Sequence, residues 1–292
     1  MDTPKIAFII NPGSGNVLKR GAKSRFIDYL KQHTNYPIYL TRTAQDSKKI
    51  IHELVAENYA AIFACGGDGT LNSVSKELLH TNTALGVIPM GSGNGFARHY
   101  KIPLKWAKAI KVAENHREIT IDTASISGRH FLNVAGLGYT AHVAKAFKRN
   151  HGRGVMGYVK TVLQNLFFDN RKVHFKSKDA EYNFEAWTVE FFNGSQWGAD
   201  MKVVKNASME DGKLDLAGFK KISYFILPWF AFRVATNTSS NFKYIQRHRF
   251  EEAEFHFDGI WGLQTDGDYI GKVKGKVDIK VNPQSLKVWV PA

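Results

Sequence analysis

The stretch "YAAIFACGGDGTLNSV" (Tyr59–Val74) limits the possible folds more than any other part of the chain. An apolar run stops at two glycines, an aspartate and a third glycine, and Leu71, Val74 and Leu78 then recur at helical spacing. A buried strand, a turn without side chains and a helix therefore follow one another with no linker. The same order recurs elsewhere. Lys5–Ile10 runs into "NPGSGN" (Asn11–Asn16), followed by Leu18, Ala22, Phe26, Tyr29 and Leu30 at helical spacing, and Leu85–Ile88 runs into "PMGSGNGFAR" (Pro89–Arg98). A strand at Pro37–Leu40 and a helix marked by Ile50, Ile51, Leu54 and Val55 complete the alternation. Strands apolar along their whole length, alternating with amphipathic helices, predict an α/β domain with a doubly wound parallel sheet over residues 1–122.

Beyond Asp122 the period changes to two: Phe255 and Phe257; Val277, Ile279 and Val281; Leu286, Val288 and Val290. Turn sequences such as "EDGK" and "TDGDYIG" separate these runs. The pattern predicts a mainly antiparallel β-sandwich over residues 123–292, with a helical insertion near 139–168 and a cleft between the two domains.

In an open parallel sheet, ligands bind beyond the carboxyl ends of the strands, where the three glycine turns fall. Glycine lets backbone N–H groups approach an anion closely, and a helix N-terminus adds positive potential. Ser14, Thr70, Ser92 and Asn94 add hydroxyl and amide groups. The bland alternative is a set of tight turns that need a positive φ. The chain has no GxxxxGK[ST] and no strand-following GxGxxG, and protein-kinase signatures are absent. Asp68 is the informative residue: a carboxylate beside bound phosphates calls for a divalent cation between them, or else it is a helix cap.

The net charge of +14 is spread over both halves and favours phosphates, anionic membranes or nucleic acid. No nucleic-acid recognition motif accompanies it. One cysteine, Cys65, fits a reducing compartment, and no signal peptide is evident at "MDTPKIAFIINPGSG", so a cytoplasmic location is expected. The histidines form no HExxH or Cys/His cluster. "ISYFILPWFAFRVA" (Ile222–Ala235) is too short to span a bilayer; its Tyr224–Phe232 part either packs in the core or docks on a membrane, with Trp229 at the headgroups. "KAFKRNHGR" (Lys145–Arg153) is either a solvated loop or an attraction for anionic lipid.

"NPGSG", "GGDGTLN" and "IPMGSGNGFAR", with "NASMEDGKLDL" (Asn206–Leu216) and "LQTDGDYIG" (Leu263–Gly271), resemble the diacylglycerol kinase catalytic family, which includes bacterial lipid kinases and sphingosine kinases. The resemblance implies an ATP-dependent kinase that phosphorylates a lipid hydroxyl, of the diacylglycerol or long-chain-base type; the net charge of +14 and the aromatic Tyr224–Phe232 segment add an anionic membrane surface as an expected peripheral partner. The resemblance also implies ATP contacts from Asn11, Pro12, Gly13, Ser14, Gly15, Thr41, Gly66, Gly67, Asp68, Gly69, Thr70, Leu71 and Ser92. It further implies Mg²⁺ held by the Asp211 carboxylate with backbone oxygens of Ser208 and Lys213, and Asp268 as the catalytic base. Lys160 and Asp122 match family positions near the active site. Three departures stand out: Asp268 where the family usually has glutamate, Gly95 where many members have aspartate, and GSGN in place of GTxN. NAD kinases share GGDGT, so ribose phosphorylation is one rival function. A catalytically silent nucleotide- or lipid-binding protein is another.

Overall fold

The computed structural model describes residues 4–11, 20–149, 154–165, 170–197, 201–223, 225–239 and 242–292. The chain divides into two compact units, Met1–Ile121 with Gln284–Ala292, and Asp122–Pro283.

In the first unit, β1 (Ile6–Ile10), α1 (Arg20–His33), β2 (Ile38–Leu40), α2 (Ala44–Ala56), β3 (Ala61–Gly66), α3 (Asp68–Leu78) and β4 (Ala84–Pro89) alternate as predicted. β1 pairs with β2 and β3, and β3 with β4, all parallel. The apolar side chains of β1, β3 and β4 are buried on both faces, whereas edge strand β2 is partly exposed. Thr43 starts α2 with a capping box: its hydroxyl accepts from Asp46 N, and the Asp46 carboxylate accepts from Thr43 N, each at 3.1 Å. The short helices α4 (Gly95–His99) and α5 (Trp106–Ala109) and the start of β5 (His116–Ile126) follow.

The second unit contains the end of β5, then β6 (Arg129–Phe131), β7 (Val134–Gly138), α6 (Tyr139–Arg149), α7 (Gly154–Gln164), β8 (Arg171–Ser177), β9 (Glu181–Ala186), β10 (Thr188–Phe192) and β11 (Leu214–Phe219). α8 (Leu227–Ala235), β12 (Ile245–Phe250), β13 (Glu252–Thr265) and most of β14 (Asp268–Pro291) complete it. Its strands pair antiparallel in the order β12-β11-β10-β7-β13, and β8 joins β13 to β9. The result is a β-sandwich. Phe184 of β9 packs on Gly218 of β11, where a larger residue would clash, and Phe175, Phe191 and Phe255 fill the core.

One segment departs from the sequence expectation. Leu286, Val288 and Val290, read with the second domain, belong to the first unit, where Val288 pairs in parallel with Leu85. A period of two marks a strand but does not name its partner.

Candidate functional site

Register sets the strand ends of the first unit level, with Ile10 beside Cys65 and Cys65 beside Ile88. Asn11, Thr41 and the turns after β3 and β4 therefore leave the sheet at one edge. Thr41 is buried there, and its N–H donates to Ile10 O at 3.0 Å. Pro12, Gly13, Ser14 and Gly15 lie outside the described residues.

What approaches the glycines of "GGDGT" is, first of all, the other glycine turn. A Cβ on Gly91 would sit 2.7 Å from Gly67 Cα, and one on Gly93 would sit 2.9 Å from Asp68 Oδ2. Asp68, the first residue of α3, fastens the two turns. Its Oδ2 accepts from Asn94 N at 2.9 Å and its Oδ1 from Gly95 N at 3.0 Å. Asn94 has a left-handed φ of 50°, and its side-chain amide closes the turn by accepting from Gly91 N and donating to Gly91 O, both at 2.8 Å. The carboxylate read as a metal handler is thus engaged by backbone N–H groups, in charge-assisted bonds worth about 1.5–3 kcal/mol each. The Thr70 and Leu71 N–H groups donate to Gly67 O, and both side chains are buried; Ser92 is exposed beside them.

Of the predicted metal ligands in the second unit, Asp211 is already engaged. The Arg249 guanidinium donates to its Oδ2 and lies 3.4 Å from Asp215 Oδ1, while Lys213 N donates to Asp211 Oδ1 at 3.0 Å. Burial pushes the Asp215 carboxyl up to about 6; Arg249 opposes that rise, and the Asp211 charge adds to it. Ser208 Oγ accepts from Glu210 N. Arg249 thus occupies the Asp211 carboxylate, the group that the sequence reading gave to Mg²⁺. Among the described residues no three His, Cys, Asp or Glu side chains gather as a metal site. Asp122 is buried and accepts from Gly212 N at 2.7 Å, so it braces the same turn, at a glycine whose φ of 70° disfavours side chains. Lys160 is exposed on α7.

Two aspartates share the turn between β13 and β14, with opposite environments. Asp266 is held: its carboxylate accepts from Leu132, Asn133 and Val134 N at 2.8–3.1 Å. Asp268 is exposed, and none of the hydrogen bonds or ion pairs of the described residues involves its carboxylate. A carboxylate open to solvent on a turn fixed by its neighbour is suited to accept a proton from a bound hydroxyl.

Sequence reasoning missed Glu190. It is fully buried on β10, with Thr140 and Thr188 hydroxyls on Oε1 and the Gln264 amide on Oε2. Gln264 Oε1 in turn accepts from Gly267 N at 2.9 Å, the residue before Asp268. The sequence signal was a glutamate inside an otherwise uncharged, fully buried strand, "TVEFF". Burial pushes its carboxyl up to about 8, partly offset by the hydroxyl and amide donors. The folded form therefore holds the proton after the unfolded chain has lost it, and the stability gained is complete at low pH and lost as pH rises through about 8. Glu190→Gln is expected to flatten this dependence, and wild type should lose about 1.4 kcal/mol per pH unit relative to the variant between pH 5 and 8. Denaturant unfolding at several pH values checks it; parallel curves for the two proteins would show Glu190 ionised in the fold.

Beside this network lies a cavity of about 220 Å³ lined by His142, Lys145, Arg171, Trp187, Trp261, Tyr269 and Lys272, among others, and by no carboxylate among the described residues. Lys145 Nζ stands 5.3 Å from the Tyr269 ring centre, and the Arg171 guanidinium 5.9 Å from that of Trp261. Cations on aromatic walls suit a ligand with a negative group and an apolar body.

The fold is similar to that of a solved structure described as a diacylglycerol kinase from Bacillus anthracis str. Sterne. That structure superposes with a TM-score of 0.72 at 19% identity, over 99% of this chain and 97% of the other. Residues 5–126 match the diacylglycerol kinase catalytic domain, and residues 133–290 match the YegS C-terminal NAD kinase beta sandwich-like domain. The chain belongs to this diacylglycerol-kinase and YegS-like family. Proteins of Yersinia pestis (strain Pestoides F) and Yersinia pseudotuberculosis serotype O:1b (strain IP 31758), each described as "Probable lipid kinase YegS-like", are 30% identical over 182 residues. Those matches span 59% of this chain and 60% of each relative. Yeast NADH kinase shares the fold more distantly, at a TM-score of 0.50 and 11% identity, over 100% of this chain and 84% of that one.

Proposed function

We propose that the protein is a lipid kinase that transfers the γ-phosphate of ATP to a lipid hydroxyl. The observation that carries the proposal is the contrast at the turn after β13: Asp266 is bound by three backbone N–H groups, while Asp268, two residues on, is exposed and has no side-chain partner among the described residues. In a chain of this family, that open carboxylate is the group that takes the proton from the attacking hydroxyl. The donor is ATP as its Mg²⁺ complex, whose phosphates lie along the carboxyl edge of the first unit, near Asn11, Thr41, the Gly66–Leu71 turn and Ser92. Asp68 and Asn94 hold that edge in shape. The acceptor lipid uses the cationic, aromatic-walled cavity of the second unit, with Lys145, Arg171 and Lys272 facing its polar end. Phosphoryl transfer asks chiefly for alignment and neutralised charge, which pre-formed turns and fixed cations provide.

A second function, phosphorylation of a nicotinamide dinucleotide, has the NAD-kinase-like sandwich in its favour. Offering labelled ATP with NAD, diacylglycerol and a long-chain base in mixed micelles separates the two. Label is expected in a lipid and not in NAD; label confined to NAD would reverse the assignment.

A further inference from the structure

Helix α8 is apolar on two faces, and only one of them is covered. Phe230 and Val234, four residues apart, are buried in a cluster with Phe219, Phe242 and Ile245. Trp229 and Phe232, three apart, remain 54% and 56% exposed, and Phe225, just before the helix, is 96% exposed. The Trp229 and Phe232 rings stack on each other at 5.6 Å, so these two exposed aromatics form one surface instead of isolated side chains. Soluble proteins seldom leave such a face open without a use for it.

Charge identifies the occupant. From Lys220 to Phe250 the chain has no aspartate or glutamate, and Lys220, Lys221, Arg233 and Lys243 surround the helix in sequence. Lys220 and Lys243 are exposed, and both flank the seat of α8: Lys220 N donates to Tyr244 O, and Phe242, next to Lys243, packs 5.2 Å from Phe230. The Arg233 guanidinium lies 5.9 Å from the Trp229 ring and is held by Thr238 O, at the edge of the aromatic patch. Aromatic rings flanked by lysines match an anionic bilayer surface, whose interface takes the rings and whose headgroups take the charge. A second copy of the chain is disfavoured, since it would set these lysines and Arg233 against their own counterparts.

We propose that the exposed face of α8, with Phe225, Trp229 and Phe232, docks the protein on anionic lipid bilayers. The proposal rests on the lipid-kinase function above for its purpose but not for its evidence. One structural link joins them: Trp187 packs against the α8 cluster, donates from Nε1 to Lys220 O, and also lines the cationic cavity. A docked α8 therefore stands one side chain away from the cavity assigned to the acceptor.

The test is co-sedimentation with phosphatidylcholine vesicles that contain or lack phosphatidylglycerol, a readout that needs no turnover and so fails separately from the kinase assignment. Wild type is expected to bind the anionic vesicles. Trp229→Ser with Phe232→Ser should lower the partition coefficient at least about tenfold, with thermal unfolding unchanged because neither side chain is in the core. Lys220→Ala with Lys243→Ala should cost about fivefold per charge on anionic vesicles and nothing on neutral ones. Equal binding by wild type and the Trp229/Phe232 variant would overturn the proposal. So would a concentration-dependent dimer of wild type that the variant abolishes, with no vesicle binding by either.

Discussion

Replacing Asp268 with asparagine is expected to slow phosphoryl transfer by roughly 10²–10⁴-fold, the usual contribution of a positioned base. Asparagine keeps the size and loses the ability to take a proton. Because Asp268 is exposed and makes none of the structural bonds that Asp266 makes, thermal stability should not move. The affinity for ATP should stay within a factor of about two, since the strand ends assigned to the nucleotide belong to the first unit. Asp268→Glu adds one methylene and restores the residue usual in the family. If the turn sits as in its relatives, that variant stays active; if the chain compensates for the shorter side chain, activity falls. A fully active Asp268→Asn enzyme, measured with every acceptor that wild type uses, would remove Asp268 from the mechanism.

Asp68→Ala is expected to lower turnover by at least about 100-fold and, unlike the change at Asp268, to destabilise the protein. It leaves Asn94 and Gly95 N–H without their acceptor and frees two glycine turns to separate. Two charge-assisted bonds at about 1.5–3 kcal/mol each, discounted for partial exposure, put the stability loss at about 2–4 kcal/mol. A misplacement of even one ångström at a phosphate-aligning edge has large kinetic consequences, hence the loss of rate. Denaturant unfolding together with steady-state kinetics separates the possibilities. Lost activity at full stability would make Asp68 a ligand for a phosphate-bound metal ion, and full activity would make it dispensable.

Much of the first unit was legible in the sequence because its signals are local. Ile6–Ile10, Ala61–Gly66 and Ala84–Pro89 are apolar throughout and are buried throughout, and Leu71, Val74 and Leu78 all point into the core. The glycines marked a place of close approach. They did not say what approaches, and the structure shows backbone meeting backbone at Gly67 and Gly91. Long-range partnerships were hidden for the same reason. Nothing adjacent to Asp211 in the chain announces Arg249, and nothing beside Asp122 announces Gly212. Glu190 was invisible as a network because Thr140 and Gln264 lie far from it in sequence. The Tyr224–Phe232 segment had two possible fates on sequence grounds, core packing or membrane docking; the structure buries Phe230 in the core and leaves Trp229 and Phe232 exposed.

The most direct measurement is transfer of label from γ-phosphate-labelled ATP into a total lipid extract, with the product identified by mass spectrometry and Asp268→Asn run beside wild type. The expected result is one class of phosphorylated lipid alcohol with wild type and at most about one hundredth of that rate with the variant. No lipid product from wild type, or equal product from both proteins, would contradict the assignment of this chain as a lipid kinase that uses Asp268.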